Sequence, residues 1–462
     1  MINKKRLHFS AIFENIFAAV IVIGLLLISS LDDIVVNIMN GLDTKYTNVN
    51  LIGIFIALGI IILAFLLAFI FFYIRWRNTY VYFQDEMFVV EKGKLITHKV
   101  TIKLKDISNI NIRRNIFEKI IGTCSLKLDL NTMSDTNLTT KLIFKMDDAL
   151  AIKNYILNNE VVKEISETSE ESMLKFSFTD VIKHCLMSIN LVNLLLVLLV
   201  YIPFVGLLLN EFSLVSIVLI LVTIIPIIWN MISKCLGYLN FKLINNNDHL
   251  TLTYGFFTTV TYHVYFDKVN ALIINQTLQA RIFKKYLIEV VNAGMGNDDN
   301  EKQILTLYTD KKTVDYIMEN LLNDYVVYDN ELRQDKKALL TMILNNIFIW
   351  IVIIVLGLFV SKYFWLLIIL GLLGIILSYY TKKITVGNNL VITNGIFNKK
   401  TTIIKYSKIE QLEIKKGLFA RLFNLNNLQV SIIGTALNTR FKTGYFDYKI
   451  GNKVVDKLIV EN

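Results

Sequence analysis

The sequence predicts a membrane α plus β protein, in which three pairs of transmembrane helices are each followed by a small β-rich domain. Two observations lead to this fold class. The first is a set of long apolar blocks in a chain of 462 residues that is 54% hydrophobic and only 19% charged, where a soluble chain carries about 25% charged residues. The second is an internal repeat, present in three copies, that covers each predicted β-rich domain.

The apolar blocks predict membrane insertion. A helix needs about 20 apolar residues to cross about 30 Å of hydrocarbon, and a helix of a soluble protein usually keeps a polar stripe. The block from Leu51 to Ile74 contains no charged residue, and neither does the block from Tyr363 to Tyr380. The six predicted spans are residues 12–31, 51–74, 185–209, 212–232, 340–360 and 363–380.

The positions of Lys and Arg near the span ends predict the orientation, because cytoplasmic loops are enriched in these residues. Lys4, Lys5 and Arg6 precede the first predicted span, and Arg75 and Arg77 follow the second, whereas the connection between those two spans is acidic. We therefore expect a multi-pass protein of the cell membrane with its N- and C-termini in the cytoplasm.

Three glycines define the repeat. When Gly93, Gly255 and Gly395 are aligned, the following 35 residues match without a gap. Apolar residues alternate with polar ones along these segments, as in half-buried strands, and each glycine falls where a hairpin turn often requires a positive φ. Each copy ends in an amphipathic helical pattern. Several antiparallel strands closed by one C-terminal helix are the pleckstrin-homology (PH) plan.

Two strings carry a resemblance to a known family. Arg-Trp-Arg-Asn-Thr-Tyr at 75–80 and KLKDISNINIRRNIFEKIIG at 103–122 resemble the bacterial membrane-anchored PH-like family, and the third copy at 403–430 matches its pattern most closely. The triplicated layout is similar to the long YdbT-like members, whereas shorter YdbS-like relatives have a single unit. The resemblance implies three cytoplasmic PH-like domains, each a β-sandwich or barrel with a C-terminal helix, and a shorter single-domain membrane relative as a partner.

The predicted spans and the repeat divide the chain into eight segments. They are an N-terminal segment with the first helix pair (1–74), the first PH-like domain (75–160), an acidic linker (161–177), the second helix pair (178–234), the second PH-like domain (235–323), a linker (324–339), the third helix pair (340–380) and the third PH-like domain (381–462).

No motif for catalysis, cofactor binding or metal binding is found in the sequence. A P-loop, a dinucleotide fingerprint and a nucleophile elbow are absent, and the five histidines do not pair at ligand spacing. Asp298, Asp299 and Glu301 have some features of a calcium loop but lack its 12-residue spacing, so a solvated loop is favoured over ion binding. The three cysteines are scattered, and a disulfide is not expected in a cytosolic domain.

Positive charge is concentrated in the third predicted PH-like domain. Residues 381–462 contain 14 Lys and Arg against 5 Asp and Glu, a net charge of +9, while the whole chain carries +10. A basic domain held beside an anionic leaflet gains about 1 kcal/mol per well-placed cation; general solubility with the positive-inside bias is the alternative. Nucleic-acid binding is not expected, because aromatic residues are not interleaved with the basic run. The candidate contact residues for anionic headgroups or an acidic partner are Lys399, Lys400, Lys415, Lys416 and Arg421.

Three classes of function are compatible with this organisation. A non-enzymatic membrane scaffold or binding protein, presenting three PH-like domains to lipids or protein partners, is favoured because the predicted spans carry few polar residues. A component of a transport or efflux system acting through the six-helix region is the main alternative. An enzyme acting on lipids is the third, and it would need paired carboxylates or a His-rich site. We expect no cofactor, and the domain edges left by three repeats favour a homo-oligomer.

Overall fold

A computed structural model describes residues 4–13, 47–93, 98–130, 142–156, 173–189, 228–246, 249–292, 304–327, 329–434 and 439–461. The chain divides into two compact units. The first comprises Met1–Leu128 and Ser134–Ser166, and the second comprises Asp129–Met133 and Glu167–Asn462. One PH-like domain lies in the first unit and two lie in the second.

The first PH-like domain consists of two sheets and a C-terminal helix. Strands β1 to β4 form one sheet in chain order, and β5 to β7 lie side by side in the other. Phe88, Ile110 and Phe144 are buried in its core, and the helix adds Ile152. The elements are β1 (Lys5–Arg6), α1 (Thr47–Arg77), β2 (Tyr80–Gln84), β3 (Met87–Lys92), β4 (His98–Lys103), β5 (Ile107–Arg114), α2 (Ile116–Ile121), β6 (Thr123–Leu130), β7 (Leu142–Lys145) and α3 (Met146–Ile156).

The second PH-like domain repeats this arrangement. Strands β8 to β11 form one sheet, and β12 to β14 form the other. Its core includes Phe241, Leu250 and Ile288, with Ile317 from the C-terminal helix. The elements are β8 (Met173–Lys175), α4 (Phe178–Ser188), β9 (Lys242–Asn246), β10 (His249–Tyr254), β11 (Thr259–Tyr265), β12 (Val269–Gln276), α5 (Leu278–Ile282), β13 (Lys285–Asn292), β14 (Thr309–Asp310) and α6 (Lys311–Asn320).

The third PH-like domain has the same two sheets, β15 to β18 and β19 to β21. Its core includes Leu390, Ile404 and Phe446, closed by Val454 of the last helix. The elements are β15 (Leu332–Arg333), α7 (Lys336–Leu344), α8 (Ile347–Phe359), α9 (Phe364–Thr381), β16 (Lys383–Val386), β17 (Asn389–Asn394), β18 (Lys399–Lys405), β19 (Ile409–Lys415), α10 (Leu418–Leu422), β20 (Leu425–Ile432), β21 (Thr439–Asp447) and α11 (Tyr448–Glu461).

The three copies share one strand register. In each copy, the residue six positions before the repeat glycine pairs with the residue ten positions after it. Gly93, Gly255 and Gly395 have φ values of 91°, 111° and 106°. A Cβ atom on Gly255 would lie 1.9 Å from the carbonyl oxygen of Thr258, and one on Gly395 would lie 1.8 Å from that of Asn398. Both the backbone angle and the close approach therefore require glycine in these turns.

Each PH-like domain begins before its apolar block, a feature that the sequence did not predict. The short strands β1, β8 and β15 pair with β2, β9 and β16, which follow the apolar blocks. β8 lies in the segment 161–177 and β15 in the segment 324–339, both of which the sequence predicted as linkers. The chain thus leaves each domain after its first strand and returns to it at the second.

The prediction of six transmembrane helices in three pairs is wrong for the part of the chain that the structure describes. By length and composition, one described helix, α9, could cross a membrane, and the number rises to at most two if the bent pair α7 and α8 is counted as one span. The predicted span 51–74 falls within α1. Most of the predicted spans 12–31, 185–209 and 212–232 lies outside the described residues.

Polar contacts and docked helices explain why the predicted blocks are interrupted. The predicted span 340–360 begins inside α7, which packs on the third domain through Ala338 and Thr341. The axes of α7 and α8 then differ by 56°. At this bend the Nδ2 atom of Asn345 donates to the hydroxyl of Tyr445 at 2.7 Å. The predicted span 185–209 likewise begins inside α4, whose buried face packs on the second domain.

Helices α8 and α9 pack against each other as a hairpin. A Cβ atom on Gly357 would lie 3.1 Å from the Trp365 ring, and one on Gly371 would lie 2.5 Å from the Trp350 ring. Trp350, early in α8, lies beside Gly371 of α9, whereas Gly357, later in α8, lies beside Trp365, which comes earlier in α9. The two helices are therefore antiparallel. Many of their large apolar side chains are exposed, including Phe359.

The expectation that no disulfide forms is wrong. The structure joins Cys185 of α4 to Cys235 in the helical segment 228–237, with Cα atoms 5.7 Å apart. Both segments pack against the core of the second domain, which brings together two cysteines that are 50 residues apart. Cys124, in the first unit, is free and buried, and burial raises the pKa of its thiol to about 11.

A continuous sheet joins the second and third PH-like domains. β12 of the second domain pairs antiparallel with β18 of the third, from Ala271 opposite Ile404 to Gln276 opposite Lys399. Side chains cross this junction in both directions. Ile403 of the third domain packs in the core of the second, and Ala271 of the second packs in the core of the third. The two domains therefore share buried apolar surface.

Candidate binding surface

A short helix links the fifth and sixth strands of each PH-like domain and exposes apolar side chains. These helices are α2, α5 and α10. The exposed fraction is 78% for Ile120 of α2, 69% for Ile282 of α5, and 80% and 74% for Leu418 and Leu422 of α10. Large apolar side chains at this exposure are available for contact with another apolar surface.

Buried alanines fix the short helices of the second and third domains. Ala420 of α10 packs with Ala338 of α7 and Leu425, beside Tyr379 of α9. This places α10 at the end of the third domain from which the hairpin of α8 and α9 leaves.

The second domain uses the same arrangement. Ala280 of α5 packs with Met187 of α4, and the hydroxyl of Thr277 donates to the carbonyl oxygen of Met187 at 2.6 Å. The side-chain amide of Gln279 donates to the carbonyl oxygen of Ile189 at 2.7 Å. In both domains, the exposed apolar side chains therefore lie at the end from which the chain enters its apolar block.

Basic residues surround the apolar side chains of α10. Lys415 and Lys416 precede the helix, Arg421 lies within it, and all three are exposed. The Nζ atom of Lys415 lies 3.0 Å from a carboxylate oxygen of Glu413. Among the residues that the structure describes, no carboxylate forms an ion pair with Lys416 or Arg421. We call residues 415–422 the third-domain tip.

The other two predicted contact residues lie elsewhere. Lys399 and Lys400 begin β18, opposite Gln276 and Asn275 of β12, and so belong to the junction beside the short helix of the second domain. Burial lowers the pKa of Lys399; Lys383 and Arg281 lower it further, and Glu331 raises it. The structure thus groups Lys415, Lys416 and Arg421 at the third-domain tip and separates Lys399 and Lys400 from them.

No group of His, Cys, Asp or Glu within the described ranges could hold a metal ion. The acidic loop with Asp298, Asp299 and Glu301 lies outside those ranges.

Sequence reasoning missed the apolar part of the third-domain tip. Leu418 and Leu422 are four residues apart, and such a pair shares one helix face, while the small Ala420 lies between them. Apolar residues at this spacing, next to Lys415 and Lys416, were a signal that a short exposed helix could have both apolar and basic character.

Comparison with known proteins defines the class to which the chain belongs. Residues 16–160, 193–324 and 339–455 match the family described as bacterial PH domain, and the chain belongs to this family. The prediction of three PH-like copies is confirmed.

A particular relative is the protein named "UPF0699 transmembrane protein YdbT" from Bacillus subtilis (strain 168). It is 21% identical over 414 residues, which cover 82% of this chain and 83% of the relative. This match confirms the predicted resemblance to YdbT-like proteins. No solved structure matches the chain.

Proposed function

We propose that the chain is a membrane-anchored binding protein, and that its third-domain tip contacts the headgroups and outer acyl region of an anionic bilayer. The observation that carries this proposal is the combination of exposed Leu418 and Leu422 with exposed Lys415, Lys416 and Arg421 in one short segment. Apolar side chains flanked by basic ones are typical of segments that lie in the membrane interface.

The hairpin beside the tip supports the membrane as the occupant. α9 is apolar over 18 residues, which gives a length of about 27 Å, close to the hydrocarbon thickness of about 30 Å. The hairpin leaves the third domain next to α10, so a bilayer that held the hairpin would meet the tip. The name of the B. subtilis relative, a transmembrane protein, is consistent with this location.

Energetic considerations favour a contact that depends on lipid charge. Each basic residue near an anionic leaflet contributes roughly 1 kcal/mol, and burying a leucine side chain contributes about 1.5–3 kcal/mol. The hairpin holds the domain at the surface, so little translational entropy is lost when the tip binds. The alternative function in transport depends on a six-helix region, and the described part of the chain does not contain that region.

The test uses the full chain in nanodiscs, either of neutral phosphatidylcholine or with about 30% phosphatidylglycerol. Hydrogen exchange of residues 415–423 should be slower in the anionic discs. Lys415→Gln with Lys416→Gln should reduce this protection by up to about 30-fold at low salt, as expected for the loss of two cations. Leu418→Ser with Leu422→Ser should reduce protection in both kinds of disc.

The matched control is Lys453→Gln with Lys457→Gln, which removes the same charge from α11 of the same domain. This control should leave the exchange of the tip unchanged. Equal exchange of residues 415–423 in anionic discs, neutral discs and detergent would refute the proposed lipid contact. A reduction by the control pair as large as that of the tip pair would show that only the net charge of the domain matters.

A further inference from the structure

The junction between β12 and β18 is a docking mode that the chain already uses. The fifth strand of one PH-like domain accepts the fourth strand of the next, with six consecutive antiparallel partners. Contacts outside the two strands support this pairing. The side-chain amide of Asn270 donates to the carbonyl oxygen of Ile433 at 2.8 Å, and the Nζ atom of Lys408 donates to that of Asp267 at 2.7 Å.

β19 is the equivalent of β12 in the third domain. Both strands begin 14 residues after their repeat glycine, and both carry an irregularity in pairing two residues later, between Val269 and Ala271 in one and between Ile409 and Gln411 in the other. β19 is the outermost strand of its sheet in the described structure. The backbone edge of β19 therefore has the same shape as the edge of β12 that accepts β18. Within the described residues, no strand pairs with this edge of β19.

β4 is the equivalent of β18 in the first domain, because the two strands pair with β3 and β17 in the same register. Within the described residues, β4 is also outermost in its sheet, and most of its side chains are exposed. One chain thus contains both halves of the docking mode, an open fifth strand and an open fourth strand.

We propose that β19 of one copy pairs antiparallel with β4 of a second copy, so that chains join head to tail. The register of β12 and β18, carried to these strands, places Leu412 opposite Thr101 and Ile414 opposite Lys99. Beyond the six pairs, Glu410 lies in the irregularity of β19 and Lys103 ends β4, so these opposite charges come at the same end of the strand pair. Opposite charges on neighbouring residues of two paired strands stabilise the pair.

Charge also selects this occupant over others. Natural proteins protect open strand edges with charged residues, which discourage unspecific pairing. β19 carries Glu410, Glu413 and Lys415, a net charge of −1, whereas β4 carries Lys99 and Lys103, a net charge of +2. The edge of β19 therefore excludes most strands and favours a basic one. A head-to-tail contact of this kind is heterologous and generates a ring or a row of copies.

The test is a disulfide cross-link between two differently tagged full-length chains that are expressed together. One chain carries Lys99→Cys, and the other carries Ile414→Cys. Residues directly opposite in an antiparallel pair have Cα atoms about 4.5–5.5 Å apart, within the range that a disulfide spans. Oxidation of isolated membranes should produce a cross-linked dimer that contains both tags. Because each chain has only one introduced cysteine, this product cannot form within one copy.

Matched controls keep the result specific. A chain with Lys457→Cys, a partly exposed position on α11, should cross-link to the Lys99→Cys chain at least fivefold less. Lys103→Glu in the first chain should reduce the specific cross-link several-fold, and Glu410→Lys in the second chain should restore it. The unaltered chain, with its own cysteines, supplies the baseline.

Three outcomes would overturn the proposal. The first is a cross-link no stronger than that of the Lys457→Cys control. The second is an internal disulfide, without dimer, in a single chain that carries both Lys99→Cys and Ile414→Cys. The third is capture of a different protein by the Ile414→Cys chain in place of the second copy.

Discussion

β12 and β19 are the same strand of the same fold in two different environments. Six of the eight residues of β12 are buried, but only one of the seven residues of β19 is. β12 contains no charged residue, whereas β19 contains three. The burial of this strand is therefore determined by whether a neighbouring domain pairs with it, and its sequence has adjusted to that neighbour.

The short helices that follow these strands differ in the same way. Arg281 of α5 donates from Nη1 to the carbonyl oxygen of Ile396 at 2.8 Å, so this charge stabilises the junction between the second and third domains. Its equivalent, Arg421 of α10, is exposed at the third-domain tip. A position that serves the contact between domains in one copy is thus available for an external contact in the next.

The largest expected effect comes from removing a side chain that crosses the junction. Ile403 lies in the third domain but packs, at 3% exposure, in the core of the second. Ile403→Ala should cost about 2–5 kcal/mol. Hydrogen exchange should accelerate in β10 and β11 of the second domain as well as in the third.

The control is Thr101→Ala, at the equivalent but exposed position of β4, which should change stability by less than about 0.5 kcal/mol. Loss of protection in the third domain alone would contradict the shared core.

Acid should distinguish the second domain from the third. Burial lowers the pKa of His184 in α4 from 6.5 to about 4, and its Nδ1 atom accepts a hydrogen bond from the backbone N–H of Tyr308 at 3.3 Å. Because the folded state keeps this imidazole neutral, its contribution is fully present above pH 6.5. As the pH falls from 6.5 towards 4, the unfolded state binds the proton first, and the second domain loses up to about 3 kcal/mol.

The corresponding helix of the third domain, α7, contains no histidine. Local hydrogen exchange between pH 7 and pH 4, measured on the full chain and corrected for intrinsic rates, should show the second domain destabilised more than the third. His184→Gln should remove the difference in slope. An unchanged pH profile in that variant would assign the acid sensitivity to other groups.

The smallest expected effect concerns the caps of the two docked helices. Ser177 and Asp180 form a capping box at the start of α4, whereas α7 has a single cap from Asp335, whose side chain accepts from the backbone N–H of Lys337 at 3.4 Å. Ser177→Ala should cost about 1 kcal/mol. Asp335→Ala should cost less, because the Ser177 hydroxyl makes a second bond, donating to the Asp180 carboxylate at 2.6 Å. Thermal or urea unfolding monitored in each domain tests this order, and equal losses would show that the capping box adds nothing.

The sequence predicted the plan of the PH-like domains because that plan rests on local properties. Alternating apolar residues predict half-buried strands, and the turns at Gly255 and Gly395 leave no space for a side chain. The copies could be aligned since the turn, the strand register and the irregularity in the fifth strand recur at fixed distances from the glycine.

Features that depend on distant segments were not predicted. β1, β8 and β15 are only two or three residues long, too short to show a period. The pairing of β12 with β18 left one signal, since Ala271, Leu272, Ile273 and Ile274 are consecutive apolar residues, and such a run is typical of a strand that is buried on both faces. The basic residues of the candidate surface were found by charge alone, which could not show that Lys399 and Lys400 lie apart from the third-domain tip.

The apolar hairpin interrupts the third domain between its first and second strands, which has a consequence for the order of events during synthesis. β15 and α7 leave the ribosome first, but their sheet partner β16 follows only after α8 and α9 have been made. The sheet therefore closes after the hairpin has emerged, so insertion of the hairpin would precede completion of the domain. A protease cut in the turn at residues 360–363 would then leave two fragments that remain associated, because β15 and β16 belong to opposite sides of the cut.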